Sequence, residues 1–413
     1  MKVLMIHKFF YVDGGAERYF FNIAGLLEKK GLEVVPFAMD HPRNESSSYS
    51  SYFVDYFEPD KELANLGLWN GLKAAARVIF NRQAQKQLER LIDDIKPDIA
   101  HVHGVYHHLS PSVLWTLKKK KIPVIFTLHE YKILCPAYLF LDGKGRVCER
   151  CQGKYFWYCT FKKCFRHSRA ASFLVSVESG VHWFLQTYSK TIDLFLSPSK
   201  FLMNKMVQYG YPSERIQWLP YTIPIEAYEP CYDFEDYFVY VGRLSKEKGI
   251  LELVNAMRHV PEVKLKVIGT GRLLETIKGI IVQHGLQNVE MMGYQQGEDL
   301  KKLVKRAKFV VVPSIVYDNS PLSIYEAFAQ GKPVIGASIG GIPELIDENK
   351  DGFLYESGNE DQLVDCIRKI SKKPDEEIIR MGQYARGKAV SMFSPEYHLE
   401  EIMRIYNYVI QAK

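Results

Sequence analysis

The sequence predicts an α/β protein made of two doubly wound, parallel-sheet domains. Three observations predict it. Short β-branched apolar runs alternate with helical patterns of about a dozen residues, the arrangement that demands crossover connections and parallel pairing. The alternation runs through the chain twice. Glycines fall directly after strand ends, where open α/β sheets bind ligands. With 413 residues, 47% hydrophobic and 25% charged, the chain is long enough for two substantial cores.

In the first half the expected strands are KVLMIH (2–7), VVPFAM (34–39), IAHVHG (99–104) and VIFTLH (124–129), with helices near 16–29, 72–95 and 110–119. In the second half they are YFVYVG (237–242), VKLKVIG (263–269), VEMMG (289–293), FVVVPS (309–314) and PVIGAS (333–338). Helices are expected there near 249–259, 272–284, 298–306 and 321–330. The boundary falls near 195–225, giving domains 1–197 and 198–392. FSPEYHLEEIMRIYNYVIQ (393–411) reads as a helix capped by Ser394 and Pro395. It could pack on the second domain or cross back to the first; the domain assignment takes 393–413 as crossing back.

Composition excludes some classes of function. No stretch reaches the roughly 18 to 20 apolar residues that span a bilayer. MKVLMIHKFF reads as a first strand rather than a signal peptide, so a cytoplasmic protein is expected. The formal charge of +6 and pI near 8.7 suit anionic ligands or an anionic membrane surface. KKKK (118–121) and the cations Lys73, Arg77, Arg82, Lys86 and Arg90 carry much of that charge. No zinc-finger, RNP or helix-turn-helix pattern accompanies them, so nucleic acid is not an expected partner. IGTGRLLE has only the first half of G-x-G-x-x-G, which argues against a nicotinamide dehydrogenase.

Two segments carry chemistry. In YDNSPLSIYEAFAQGKPVI (317–335), Ser320 is the expected N-cap and Pro321 the first helical residue, while Gly331 and Pro333 stop the helix. Asp318 and Glu326 flank a helix start whose amides, at Leu322 and Ser323, make an anion site. A glutamate among Ile324, Tyr325, Ala327 and Phe328 is costly to bury unless something hydrogen-bonds it. In GRLSKEKGI (242–250), Arg243 follows a strand end and Lys248 lies five residues on. A planar fork and a mobile point charge together suit a diphosphate.

With GGAER (14–18), HVHG (101–104), TLHE (127–130), LSPSKF (196–201), GRLSKEKGI, and PSIVYDNSPLSIYEAFAQGKPVIGASIGGIPELI followed by DGFL, the chain resembles the family-4 retaining glycosyltransferases. The resemblance implies the GT-B fold, two Rossmann-like domains facing across a cleft. It implies transfer of a sugar from a nucleoside-diphosphate sugar to a glycan or lipid-linked acceptor in cell-surface polysaccharide synthesis, with no metal cofactor for catalysis. Arg243 and Lys248 would neutralise the diphosphate, and Glu326 would accept hydrogen bonds from the ribose. Asp318 would hold hydroxyls of the donor sugar, and Asn319, Ser320, Pro321, Leu322 and Ser323 would line the phosphates. Gly14 and Gly15 would let the backbone approach the donor, and His129 occupies the active-site histidine position. The departure is Asp318, where the family usually has glutamate; aspartate is one methylene shorter. Alternatives in other classes are a non-catalytic sugar-nucleotide-binding protein and another GT-B enzyme such as a nucleotide-sugar epimerase, separable by donor hydrolysis and product stereochemistry.

Between TLHE and the next structural segment lies a Cys-rich insertion, about 132–169, with Cys135, Cys148, Cys151, Cys159 and Cys164. C-x2-C followed by C-x4-C has the spacing of a structural zinc site, formed by Cys148, Cys151, Cys159 and Cys164 with Cys135 as an alternative ligand. Buried thiols without metal are the other reading. Tyr155, Phe156, Trp157, Tyr158 and Phe161 alternate there with Lys154, Lys162, Lys163, Arg166 and Arg169, a composition shared by membrane-interface anchors and by small basic-shelled cores. With KKKK, it suggests peripheral contact with anionic membrane.

Overall fold

The structure, a computed structural model, describes residues 1–57 and 68–412, and side chains except those of 68–72 within that range. Two compact units form: residues 1–219 with 399–413, and residues 220–398. The first unit holds one parallel sheet of β1 (Lys2–Ile6), β2 (Glu33–Phe37), β3 (Ile99–Val102), β4 (Val124–Thr127), β5 (Leu194–Ser197) and β6 (Ile216–Trp218), in the order β2-β1-β3-β4-β5-β6. The expected boundary at 197/198 therefore lies too early. Ser199 caps the helix Lys200–Gln208 by accepting from Leu202 N, and β6 then pairs with β5, so the first sheet keeps both elements. β5 and β6 have only four and three residues, too few for a periodic signal.

The expected helix over 72–95 is two helices, Leu68–Ile79 and Arg82–Ile95. Asn81 makes the break. Its side chain accepts from Ala84 N at 3.0 Å and donates to His108 O at 3.1 Å, capping the second helix from a buried position.

The second unit holds β7 (Tyr237–Val241), β8 (Lys264–Ile268), β9 (Val289–Gly293), β10 (Val310–Val312), β11 (Val334–Ala337) and β12 (Gly352–Tyr355), ordered β12-β11-β10-β7-β8-β9. Phe238, Leu265, Val267, Phe309, Val311, Ile335 and Phe353 alternate into its core with Ile250, Leu253, Leu363 and Ile367 from covering helices. Both sheets reverse direction of growth at one point, between β1 and β3 in the first and between β7 and β10 in the second. Parallel strands diverge there and leave a crevice at their carboxyl ends. The helix Pro395–Gln411 starts in the second unit and, from Leu399, packs in the first. Tyr406 is buried there, its hydroxyl 2.7 Å from His101 Nδ1.

Candidate active site

In the second unit the residues singled out from sequence gather at the switch point. Arg243 and Lys248 follow β7, and Asp318 follows β10, the two strands that flank the crevice. Arg243 is mostly exposed, with Nη2 3.8 Å from Glu247 Oε1. Lys248 is committed more firmly, its Nζ donating to Asp318 Oδ2 at 2.5 Å. Ser314 Oγ donates to the same oxygen at 2.9 Å. Asp318 is thus fixed by a cation and a hydroxyl, and the Lys248 charge is balanced by the chain itself.

Glycine geometry makes this loop pair possible. Gly249 sits at φ +68°, and a Cβ there would stand 1.7 Å from Pro313 O. Gly340 sits at φ +61°, where a Cβ would meet Asp318 O at 2.4 Å, and Gly341 N donates to that same carbonyl at 2.8 Å. The first closes Lys248 onto the β10 loop, and the second buttresses the Asp318 backbone. Gly249→Ala is expected to cost about 1–3 kcal/mol of stability through the left-handed backbone and the forced shift of Pro313. Thermal denaturation checks this; a wild-type midpoint would contradict the packing of Gly249 on Pro313.

The helix that follows is Leu322–Ala329, one residue shorter at its start than expected. Pro321, not Ser320, is the N-cap, and no side chain caps it. Ser320 is engaged elsewhere: its Oγ lies 2.6 Å from Tyr325 Oη, a fully buried phenol that needs a partner. Asn319 and Ser320 are both buried, while Leu322 and Ser323 are half-buried at the helix start, where first-turn amides lack intrahelical acceptors. Glu326 is half-buried and accepts from Tyr228 Oη at 3.2 Å. Tyr228 stands 98 residues away in sequence, so no local pattern announces it. Ser314 and Gly340 lay inside quoted motifs without an assigned role.

In the first unit, Gly14 precedes the helix Gly15–Lys29 at φ −164°, extended backbone open to any residue. A Cβ at Gly14 would meet only Glu17 Oε2, at 3.4 Å. The protein's own packing therefore does not require glycine there. Glu17 is buried, and burial raises its carboxyl above the usual range. His7 Nε2 lies 3.6 Å from Glu17 Oε1, but burial lowers His7 to about 3, so the contact is not a charged pair at neutral pH.

His129 follows β4 and remains half-buried. Its Nε2 lies 3.0 Å from His103 Nδ1, and the two rings stack 5.2 Å apart at 17°. Tyr19 meets the His129 ring edge-on at 5.4 Å. Burial holds His129 well below the ordinary imidazole range. The strand ends of β1, β3 and β4 thus carry a group of neutral histidines.

The four cysteines expected to hold zinc, Cys148, Cys151, Cys159 and Cys164, are not arranged as a metal site among the described residues. Among the described residues, no three His, Cys, Asp or Glu side chains are grouped to hold a metal ion, and all seven cysteines are free thiols. Cys159 lies on the short helix Trp157–Phe161, which packs against Arg169–Phe184. Its thiol is turned into that seam, hydrogen-bonded with Cys164, Ser176 and Ser172, and the bond from Cys164 lowers its pKa. Burial pushes Cys135 up to about 11 and raises Cys151 further. The same stretch forms the short turn Gln152–Lys154 and Trp157–Phe161 before the long helix Arg169–Phe184. Lys119 and Lys120 of KKKK are engaged with Glu89 and Asp93 of Arg82–Ile95, at 3.0 and 2.6 Å.

Residues 13–227 match the pattern of Glycosyltransferase Family 4, more than half of the chain. The chain belongs to that family. Residues 229–388 match Glycosyl transferases group 1. Among curated relatives, the amylovoran biosynthesis glycosyltransferase AmsK of Erwinia amylovora is 24% identical over 227 residues, covering 52% of this chain and 56% of the relative. The chain spans from about a third to about half the length of the first such relatives it matches. Among solved structures, sucrose-phosphate synthase from Thermosynechococcus elongatus superposes with TM-score 0.74 at 17% identity, covering 100% of both chains. Anabaena HepE in complex with UDP gives 0.66 at 17%, covering 99% of this chain and 100% of that one. The α/β architecture of this family-4 chain is the GT-B fold.

Proposed function

We propose that this family-4 protein is a retaining glycosyltransferase that moves a sugar from a nucleoside-diphosphate sugar to a glycan or lipid-linked acceptor in cell-surface polysaccharide synthesis. The observation that carries the proposal is the meeting of Arg243, Lys248, Asp318 and a helix N-terminus at the switch point of one sheet. Breaking the anomeric bond places negative charge on the diphosphate. Arg243, Lys248 and the amides of Leu322 and Ser323 stabilise that charge as it develops, in the role a metal ion plays elsewhere. Glu326, oriented by Tyr228, receives the ribose hydroxyls, and Asp318 the hydroxyls of the sugar. His129, in the first unit, is the proposed active-site histidine. Retention follows from front-face attack, the leaving phosphate helping to deprotonate the acceptor. The UDP complex of HepE and the pathway of AmsK support a nucleotide donor and a polysaccharide product.

The test is a thermal-shift screen with nucleoside diphosphates and nucleotide sugars in excess EDTA. A ligand bound only by the folded state adds about 2.7 kcal/mol of stability at a hundred times its dissociation constant. One diphosphate should raise the midpoint, and Arg243→Ala and Glu326→Ala should each abolish the shift. No shift from folded protein, or a shift that appears only with magnesium, would overturn the metal-free donor site.

Membrane contact is part of the same proposal, and its surface, with Phe184, is the stretch between Glu149 and Glu178. No acid lies between those two residues, while Arg150, Lys154, Lys162, Lys163, Arg166 and Arg169 do. Phe161, Phe173 and Phe184 are 72%, 60% and 78% exposed, with Phe173 and Phe184 on one stripe of Arg169–Phe184. No described helix is long and apolar enough to cross a membrane; exposed aromatics ringed by cations suit the inner, anionic face instead. KKKK contributes less, because Lys119 and Lys120 are engaged. Flotation should recover the protein with anionic but not zwitterionic vesicles, and Phe161→Ala/Phe173→Ala should weaken recovery. Absence of flotation at low salt would remove the membrane from the proposal.

A further inference from the structure

The histidine pair at the ends of β3 and β4 contains more information than its position. His103 is fully buried. Its Nδ1 meets His129 Nε2 at 3.0 Å, and its Nε2 is sealed from solvent with no hydrogen-bond partner among the described residues. The nearest imidazole offers none. His101 lies against the His103 ring at 4.2 Å, but both its nitrogens are engaged, Nδ1 with Tyr406 Oη and Nε2 with Thr127 Oγ1, each at 2.7 Å. Phe20 closes another side, its ring at 5.2 Å and 79°.

A neutral imidazole carries one proton, so each ring has one N–H and one lone pair. Burial keeps both rings neutral at pH 7, and the neighbouring His101, His7 and Lys8 act in the same direction. If the His103 proton sat on Nε2, a buried donor would have no acceptor. The other tautomer places the proton on Nδ1, where it makes the 3.0 Å bond, and leaves only a lone pair in the sealed pocket. A buried N–H with no acceptor is rarer in folded proteins than a buried acceptor with no donor. A donor at His103 Nδ1 requires an acceptor at His129 Nε2. The His129 proton must then reside on Nδ1.

We propose that His103 is a positioning residue that fixes His129 as its Nδ1–H tautomer, so that His129 meets the donor sugar as a hydrogen-bond donor and not as a general base. The catalytic consequence rests on the reading of His129 given above; the tautomer rests on the geometry of His103 alone. Tyr406, through His101, anchors the layer beneath the pair.

Long-range ¹H–¹⁵N correlation spectra of histidine-labelled, full-length protein at pH 7 read the tautomer directly, with assignment by single His→Gln variants. His129 should show a protonated Nδ1 and a bare Nε2; a protonated Nε2 overturns the proposal. Turnover gives a second readout. Asn places an amide N–H where Nδ1–H lies, so His103→Asn should keep kcat within about threefold, whereas His103→Phe should lose about 10- to 100-fold in kcat with little change in KM. His103→Gln, whose amide reaches toward the Nε2 position instead, should not rescue. Equal losses in the Asn and Phe variants would overturn the positioning role. Full turnover by His129→Ala would remove His129 from the proposed transfer, and the spectra would still decide the tautomer.

Discussion

Lys248→Ala is expected to lower kcat/KM about 10²- to 10³-fold while leaving the fold intact, because in the proposed transfer the lost group stabilises charge that develops only as the diphosphate departs. The side chain is 28% exposed and lies at the end of the one-turn helix Lys246–Lys248, so its removal opens no core cavity. In the absence of donor its charge is balanced by Asp318 at 2.5 Å, which makes Asp318 the informative partner. Asp318→Asn keeps the shape and withdraws the negative charge from Lys248. The freed cation should then bind nucleoside diphosphate more tightly, while transfer falls because the carboxylate no longer receives the sugar hydroxyls. Asp318→Ala should abolish transfer with little loss of folding. A double-mutant cycle over Lys248 and Asp318, read in both nucleotide affinity and turnover, separates the two roles. Wild-type turnover by Lys248→Ala would remove it from the leaving-group site, and full turnover by Asp318→Ala would do the same for Asp318.

The second large effect is acid lability. Burial lowers His7 and His398 to about 3 and holds His103, His108 and His129 well below the ordinary range. Each of these groups is neutral in the folded chain and protonates near pH 6.5 in the unfolded one. Below pH 6.5 the unfolded state therefore binds more protons, so stability rises with pH and is lost as pH falls from about 6.5 toward 3. At pH 5, His7 and His398 each withdraw about 2 kcal/mol relative to neutral pH. Glu178, held to about 2 by His107 and Lys132 against its own burial, adds a loss in the same direction below about pH 4.5. Glu17, raised by burial, works in the opposite sense. His7 belongs to the first unit and His398 to the second, so both should melt earlier. Calorimetry between pH 8 and 5 should show the midpoint of each structural unit falling by at least about 4–8 °C in total over that range, with His398→Asn flattening the response of the second. A midpoint constant over that range would refute the account.

Much of the architecture was legible because long apolar strands and helix periods are local signals. All nine strands expected from sequence are present within a residue or two at their ends, and the carboxyl-edge glycines led to Arg243, Lys248 and Asp318 together. What was misread had tertiary causes. Ser320 has the composition of an N-cap, but Tyr325 buries a phenol beside it and takes its hydroxyl. Cys148, Cys151, Cys159 and Cys164 have ligand spacing, but the packing of Trp157–Phe161 on Arg169–Phe184 turns Cys159 into a helix seam. KKKK reads as a free cationic run, but Glu89 and Asp93 from another helix reach it.

The sequence by itself determined the two-domain α/β class, the strand order of appearance, and the motif residues of a family-4 glycosyltransferase, since each depends on residues close together in the chain. Only the tertiary structure decided which of those residues touch. Lys248 and Asp318 are 70 positions apart, Tyr228 and Glu326 are 98 apart, and His101 and Tyr406 are 305 apart. Such pairs are made by sheet order and helix packing, so their charge balance, their tautomers and their pKa values are properties of the fold and not of any segment.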